Sequence, residues 1–278
     1  MSLSDTSQRK GLSAMVRVRN EEEFLYPAVK SIVDCVDELV LIDNLSTDRS
    51  PSILEMIRRE YFGKAVLERY PHEVRKVGRE SWELSSSEGA ESSPHLSANY
   101  YNWCLARCTG PYVLKWDGDM VALDSFYESL EEWKSSAAQV MVFNGGNVHP
   151  NRRNLIAAKT SDRELLLQRL DVPGLPRWVT TLTYDFPEPR IFPKLGARYH
   201  SDLRWTQSLS SPVLRGSDAP GAVMRVEGIC FLHLKFCKRD SLAGYSSDLA
   251  DVIASNVRVG PPLGPELDDV LRRWELVR

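Results

Sequence analysis

The chain has 278 residues, of which 42% are hydrophobic and 26% charged, and its formal net charge is −3 at pH 7. A near-neutral charge without a long basic run argues against a nucleic-acid-binding protein, and no apolar run reaches the roughly 20 residues that a membrane helix needs. The polar first segment, MSLSDTSQRK, lacks the apolar core of a secretory signal and predicts a polar tail.

The first 70 residues alternate between strand-like and helix-like segments. The strand-like runs are LSAMVRV (12–18), ELVLID (38–43) and AVLER (65–69). Apolar residues at helical spacing predict a helix between the first two strands, with its regular part beginning near Pro27. Ser50 followed by Pro51 predicts the cap and first position of a second helix. This order predicts a parallel sheet with helices on its faces.

The middle of the chain begins with a polar, serine-rich segment, residues 71–94, which predicts a loop. Helices are then predicted at 96–108 and 123–135, and strands at 112–116 and 139–144, with Gly110 just beyond the first of these helices. The second half predicts strands at 190–192, 222–226 and 229–236 and a helix at 240–256. The chain shows no internal repeat and no linker, so a single domain is expected.

Three aspartates fall at the ends of predicted strands. Asp43 ends the second strand, and Asp117 and Asp119 follow the fourth within KWDGDMV. In an open α/β sheet, ligands bind beyond the carboxyl ends of the strands. Two nearby carboxylates repel each other unless a cation lies between them. The pattern predicts an acidic, cation-binding sheet edge, although each aspartate taken alone is also typical of loop capping.

Two segments carry a family resemblance. VRVRNEEEFLYPAVKSIVDCVDELVLIDNLSTDRS resembles the opening of family 2 glycosyltransferases of the GT-A fold, and GPYVLKWDGDM resembles their Asp-x-Asp segment. The resemblance implies an α/β, GT-A-type nucleotide-diphospho-sugar transferase fold, with a mostly parallel central sheet flanked by helices. It also implies a polar tail (1–11), a nucleotide-sugar-binding half (12–125) and an elaborated acceptor-binding half of the same domain (126–278).

The resemblance implies a donor site at the sheet edge. Asp43, with the adjacent Asn44, matches the position that contacts the uracil or ribose of the donor. Asp117 and Asp119 match the pair that holds Mn²⁺ or Mg²⁺ against the diphosphate, and Asp117 also belongs to the nucleotide site. Hard oxygen ligands suit such an ion, which acts as a Lewis acid towards the leaving nucleoside diphosphate.

Late in the chain, CFLHLKF resembles the segment that supplies a further metal ligand in many GT-A enzymes. His233 is therefore a predicted ligand, and the alternative is a hydrogen-bonded core histidine. Lys235 and Lys238 are candidates for binding phosphate, and the alternative for both is solvated surface charge.

The catalytic base is the least defined part of the predicted site. Inverting family members use an Asp or Glu to deprotonate the acceptor hydroxyl. RIFPKLGARYHSDLRW resembles a family segment that runs on to a glutamate, but Trp205 takes that position. Asp202, the nearest carboxylate, is the predicted base, with Asp185, Glu188 and His200 as alternatives. The absence of a base is a further alternative.

The predicted function is a metal-dependent, inverting transfer of a sugar from a UDP-linked donor to an acceptor hydroxyl or amine. The acceptor is a small natural product, a saccharide or a lipid-linked molecule, and the sequence does not choose among them. A nucleotidyltransferase is an alternative, although RNEEEF is acidic where that class carries a basic, Gly-rich loop. A non-catalytic nucleotide-sugar-binding protein is the other. The five scattered cysteines predict reduced thiols and a cytoplasmic location.

Overall fold

The alternating segments fold into one eight-stranded sheet with helices packed on it. The structure is a computed structural model that describes residues 11–75, 84, 87, 89–156, 188–201, 207–211, 213, 221–239, 259–262, 265–274 and 276. The strands are β1 Leu12–Val18, β2 Glu38–Asp43, β3 Ala65–Arg69, β4 Tyr112–Asp117, β5 Met120–Ala122, β6 Val140–Asn147, β7 Asn154–Ile156, β8 Glu188–Pro193, β9 Arg198–Ser201, β10 Gln207–Ser210, β11 Val223–His233 and β12 Val259–Pro262. The helices are α1 Leu25–Lys30, α2 Ser50–Glu60, α3 Ser97–Arg107, α4 Asp124–Ser135 and α5 Pro265–Arg273.

The order of strands in the large sheet is β3-β2-β1-β4-β8-β6-β11-β5. The first four run parallel, as do β6 and β11, whereas β8 and β5 are antiparallel to their neighbours. Two further pairs, β9 with β10 and β7 with β12, form separate small sheets. The predicted α/β fold class, with helices flanking a central sheet, is confirmed, and the antiparallel strands lie in its second half.

The sheet is buried on both faces, which explains why its central strands are almost uniformly apolar. Alternate residues of β1 point to opposite sides, so that Ala14 and Val16 belong to one hydrophobic cluster and Met15 to the other. Trp116 and Trp133 are fully buried in the first cluster. Both faces of the sheet are therefore covered where the parallel strands run towards their carboxyl ends.

The predicted first three strands are confirmed with their bounds, and the second half differs from prediction. The two runs 222–226 and 229–236 belong largely to one strand, β11, whose pairing with β6 shifts register between Arg225 and Ile229. Gly228 lies in this irregularity at φ +80°, a conformation that favours glycine. The short strands β5, β7, β9, β10 and β12 and helix α5 were not predicted, and the predicted helix 240–256 lies outside the described residues.

One local prediction was wrong and another is confirmed. Ser50 is the first residue of α2 and Arg49 is its cap, and the Ser50 hydroxyl instead accepts the backbone N–H of Glu21 at 2.8 Å. Gly110 lies just beyond the end of α3, as predicted, and close to β1, where an added Cβ would come within 2.6 Å of the Ser13 hydroxyl.

All five cysteines are free thiols, as expected. Within the described residues, no helix combines the length and apolarity that crossing a bilayer requires. The division of the chain at residues 125 and 126 stays a prediction, although strands from both sides of it join in the same sheet.

Candidate active site

The carboxyl ends of three parallel strands meet at one edge of the sheet. Val18 of β1 is in register with Asp43 of β2, and Arg17 of β1 is in register with Asp117 of β4. The strand ends therefore place Asp43 and Asp117 on either side of β1, as the sequence predicts. Because the carboxyl end of a parallel sheet is its usual ligand-binding edge, this is the candidate active site.

Asp119 and His233 come together because β5 pairs antiparallel with the end of β11. His233 is the register partner of Met120, and the backbone N–H of Leu234 donates to the Asp119 carbonyl at 2.9 Å. The side chains follow, with His233 Nε2 3.2 Å from Asp119 Oδ1. Both residues are buried, at 9% and 3% exposure. The fold thus brings together an aspartate and a histidine that are far apart in the sequence.

A second cationic group contacts the same carboxylate from the other side. The Lys238 ammonium is 2.6 Å from Asp119 Oδ2 and 2.6 Å from Glu21 Oε1, so it bridges two acidic side chains. Burial raises the pKa of Asp119, but the Lys238 ammonium and the His233 ring lower it by more, and the pKa lies below its usual range. Asp119 is therefore an ionised carboxylate with partners on both oxygens.

Glu21 is a member of the site that the sequence reasoning did not identify. It is buried, at 9% exposure, and its Oε2 atom has no hydrogen-bond partner among the described residues. Burial, together with the nearby Asp119 carboxylate, raises its pKa to about 8 despite the Lys238 ammonium. A signal was present in the NEEEF segment directly after β1, but its three adjacent glutamates look alike in the sequence.

The glycine between the two aspartates is explained by Glu21. A Cβ atom added to Gly118 would lie 2.9 Å from Glu21 Cγ and 3.2 Å from Glu21 Cβ. The turn after β4 therefore packs directly against the Glu21 side chain. Only a residue without a side chain lets Asp117 and Asp119 flank this contact without moving Glu21.

Asp117 pairs with a different basic side chain, that of Arg17. Its carboxylate forms an ion pair with the Arg17 guanidinium, which also lies over the Tyr101 ring at 3.9 Å from the ring centroid. The Asp117 side chain keeps 27% exposure, whereas that of Asp119 keeps 4%. The repulsion expected between the two aspartates is thus offset in this structure by two different basic side chains, Arg17 and Lys238.

At the end of β2, Asp43 and Asn44 hold neighbouring loops. Asp43 Oδ1 accepts the backbone N–H of Ser46 at 3.1 Å, and the Asn44 amide donates to the His72 carbonyl at 2.7 Å. Arg69 Nε lies 3.7 Å from Asp43 Oδ2. Asp43 therefore makes the loop-capping contact considered for it, and its proposed role towards a nucleotide stays a prediction.

Of the four candidate bases, the structure describes Glu188 and His200. Asp202 and Asp185 lie outside the described residues, as does Trp205. Glu188 begins β8 and forms ion pairs with Lys115 at 2.6 Å and Arg190 at 2.8 Å.

These pairs bear on the suitability of Glu188 as a base. Although burial raises its pKa, the Arg190 and Lys115 charges lower it to about 2, which makes this carboxylate a weak proton acceptor. His200 lies in the β9–β10 hairpin, exposed, with Nε2 2.7 Å from the Ser210 hydroxyl.

Within the described part of the chain, no group of three or more His, Cys, Asp or Glu side chains is arranged as a complete metal site. Asp119 and His233 nevertheless offer a carboxylate and an imidazole that face each other, both of which bind divalent transition ions. The two residues fit a site that is completed by ligand oxygens rather than by protein alone.

Several solved structures are similar to this chain, at a distance. S. aureus TarS 1-349 in complex with UDP-GlcNAc is 15% identical with a TM-score of 0.45, over 95% of this chain and 71% of that one. Glucosyl-3-phosphoglycerate synthase from Mycobacterium tuberculosis, in complex with Mn²⁺, UDP and phosphoglyceric acid, is 17% identical with a TM-score of 0.40, over 81% and 70%. S. aureus TarS 1-349 without a named ligand is 12% identical with a TM-score of 0.44, over 81% of this chain and 60% of that one. No family model matches the chain, and no curated protein does.

Proposed function

We propose that the chain is a glycosyltransferase that transfers a sugar, with inversion, from a nucleotide-sugar to an acceptor hydroxyl or amine. We expect the donor to be UDP-linked. The observation that supports the proposed transfer best is the buried Asp119–His233 pair, 3.2 Å apart, at the carboxyl edge of the sheet. It lies beyond the carboxyl ends of strands, the edge where an open α/β sheet binds its ligands.

Asp119 and His233 would hold a divalent cation, Mn²⁺ or Mg²⁺, together with oxygens of the donor's diphosphate. Such an ion supplies Lewis-acid stabilisation of the negative charge that grows on the leaving nucleoside diphosphate. Asp117, which is more exposed than Asp119, is the third proposed ligand of the ion and a proposed contact to the donor. Arg17 orients that carboxylate through its ion pair.

Asp43 and Asn44 are the proposed contacts to the nucleoside. Asp43 is 4% exposed and its Oδ1 atom already accepts one backbone N–H, which fixes the direction of the carboxylate. A carboxylate held in this way accepts hydrogen bonds from a uracil N–H or a ribose hydroxyl without a further loss of side-chain freedom. Asp202 remains the proposed base that takes the proton of the acceptor. The proposed location is the cytoplasm.

The proposal is tested by turnover. Wild-type protein, Asp119→Asn and the control Asp34→Asn, whose side chain is exposed and remote from the sheet edge, are incubated with a panel of UDP-, GDP-, CDP- and TDP-sugars, with Mn²⁺ or with EDTA. We expect the wild type and the control to release nucleoside diphosphate from one donor class with Mn²⁺ and not with EDTA, with water taking the sugar because no acceptor is added. Asp119→Asn should lose most of this release, since it loses a charged ligand and a partner of His233. Full activity in Asp119→Asn, or equal activity in EDTA, would remove the metal role.

The same assay separates the alternatives. A nucleotidyltransferase releases pyrophosphate from a nucleoside triphosphate and a sugar phosphate, which a parallel reaction detects. A non-catalytic protein binds a nucleotide-sugar and releases nothing. The acidic NEEEF loop, whose Glu21 lies in the site, continues to disfavour the nucleotidyltransferase.

A further inference from the structure

Lys238 occupies a position that the proposed function requires for another cation. Its ammonium lies 2.6 Å from Asp119 Oδ2 and 2.6 Å from Glu21 Oε1, on the side of Asp119 opposite to the His233 contact. Lys238 comes from the segment after β11, whereas Glu21 comes from the loop after β1. The ammonium thus joins these two segments through the acidic site.

One ammonium does not saturate the acidic side chains that surround it. Glu21 Oε2 is buried and has no hydrogen-bond partner among the described residues. A buried carboxyl oxygen without a partner is unusual in a folded protein, and it points to a ligand, an ion or a water at this position. The site therefore contains more hydrogen-bonding capacity than the Lys238 side chain uses.

The neighbours of Lys238 are held independently of it. The backbone N–H of Leu234 donates to the Asp119 carbonyl at 2.9 Å, and the backbone N–H of Arg239 donates to Glu23 Oε1 at 3.0 Å. Arg152 Nη2 also contacts Glu23, at 3.2 Å. The Lys238 side chain can therefore change partners while its backbone stays attached to the loop after β1.

We propose that the Lys238 ammonium holds the cation position of the acidic site in the donor-free protein, and that it moves to the donor's diphosphate when a divalent ion binds Asp119. This inference rests on the proposed function, since it presupposes a divalent ion and a diphosphate. Lys238 is then a donor-positioning residue that also competes with the metal alone. It makes the ion and the diphosphate bind together more tightly than either binds separately, because only the diphosphate gives the displaced ammonium a new partner.

The test measures metal binding rather than activity. Mn²⁺ affinity is determined by electron paramagnetic resonance, with and without UDP, for the wild type, for Lys238→Gln and for Lys134→Gln. Lys134 lies on α4 and pairs with Glu131. Lys134→Gln therefore removes the same charge as Lys238→Gln, but away from the site. Lys238→Gln should bind Mn²⁺ alone about tenfold more tightly than the wild type and UDP in the presence of Mn²⁺ about tenfold more weakly, the scale of a charge-assisted contact. Lys134→Gln should match the wild type in both.

A second measurement uses the wild type alone and does not depend on how the variant folds. Acetylation of lysines by a water-soluble ester, read by mass spectrometry, reports the accessibility of Lys238 against Lys134. We expect Mn²⁺ alone to increase the labelling of Lys238 and Mn²⁺ with UDP to reduce it again, with Lys134 constant.

The outcomes are distinguishable. If the wild type binds Mn²⁺ and UDP together, but Lys238→Gln binds Mn²⁺ no better and Mn²⁺ does not change the labelling of Lys238, the inference alone is wrong. If the wild type binds no Mn²⁺ even with UDP present, the proposed function fails and this inference fails with it.

Discussion

Replacing Gly118 with alanine tests whether the packing of Glu21 explains the glycine between the two aspartates. The added methyl group would lie 2.9 Å from Glu21 Cγ and 3.2 Å from Glu21 Cβ, both shorter than ordinary carbon–carbon contacts. Glu21 is not free to withdraw. Its carboxylate is 2.6 Å from the Lys238 ammonium, and its backbone N–H donates to the Ser50 hydroxyl at 2.8 Å. The nearest atom is thus in the middle of a restrained side chain, not at a mobile tip.

The expected cost is that of overpacking a filled interior. Such substitutions destabilise a protein by about 1–3 kcal/mol. We expect Gly118→Ala to lower the free energy of unfolding by this amount, measured as a shift of the urea midpoint at unchanged slope. We also expect weaker Mn²⁺-dependent nucleotide binding, because a displaced Glu21 alters the position of Lys238.

A double-mutant cycle supplies the control. Glu21→Ala removes the Cγ atom that lies closest to the added methyl, so Gly118→Ala should cost less than about 1 kcal/mol in that background. If Gly118→Ala is as stable as the wild type, contact with Glu21 does not explain the glycine. The same holds if the substitution costs the same amount with and without the Glu21 side chain.

Three further predictions concern Asp43, Asp202 and Glu188. Asp43→Ala should weaken UDP binding by about ten- to a hundredfold, the loss of one charged hydrogen bond, and unchanged affinity in a titration would show that Asp43 only caps its loop. Asp202→Asn should reduce transfer about a hundredfold or more at saturating donor while donor affinity stays constant, and normal transfer would move the base elsewhere. The Glu188 pKa is lowered to about 2, so its ion pairs stabilise the fold above pH 4.5 and this contribution is lost as the pH falls towards 2. Because the Glu188 side chain is 34% exposed, we expect Glu188→Gln to cost about 1–2 kcal/mol at pH 7. Urea unfolding from pH 7 down to pH 3 should show the cost decreasing, with exposed Glu128→Gln as the control, and a pH-independent cost would contradict the assignment.

The first half of the fold was predictable because its signals are local. β1, β2 and β3 are short apolar runs bounded by charged or turn residues, and the structure gives them the predicted bounds. Their parallel order follows from the helices between them, so the meeting of Asp43 and Asp117 at one edge follows as well.

The rest of the site depends on long-range pairing that a pattern does not encode. β5 has three residues and no periodicity of its own, yet its antiparallel pairing with β11 is what places His233 beside Asp119. The family resemblance identified His233 as a ligand candidate. Without it, a histidine in an apolar run is more often a hydrogen-bonded core residue than a ligand.

Glu21 was missed because the sequence does not distinguish it from its two neighbours. In the structure the three glutamates face different segments. Glu21 contacts Lys238, Glu22 contacts Arg49 at 3.2 Å, and Glu23 contacts Arg152 at 3.2 Å. Which of them lies in the site is decided by how the loop after β1 meets distant parts of the chain.

We propose that Asp119 and His233 form a metal-dependent nucleotide site at the carboxyl edge of the sheet. Isothermal titration of the wild type with UDP, GDP, CDP and TDP, in Mn²⁺ and again in EDTA, tests it most directly. We expect one of these nucleotides, which we predict to be UDP, to bind with Mn²⁺ and to lose at least about tenfold in affinity in EDTA, or about 1.4 kcal/mol. We expect His233→Ala to remove this metal dependence. A folded wild-type protein that binds none of the four nucleotides in Mn²⁺, or that binds one equally well in EDTA, would contradict it.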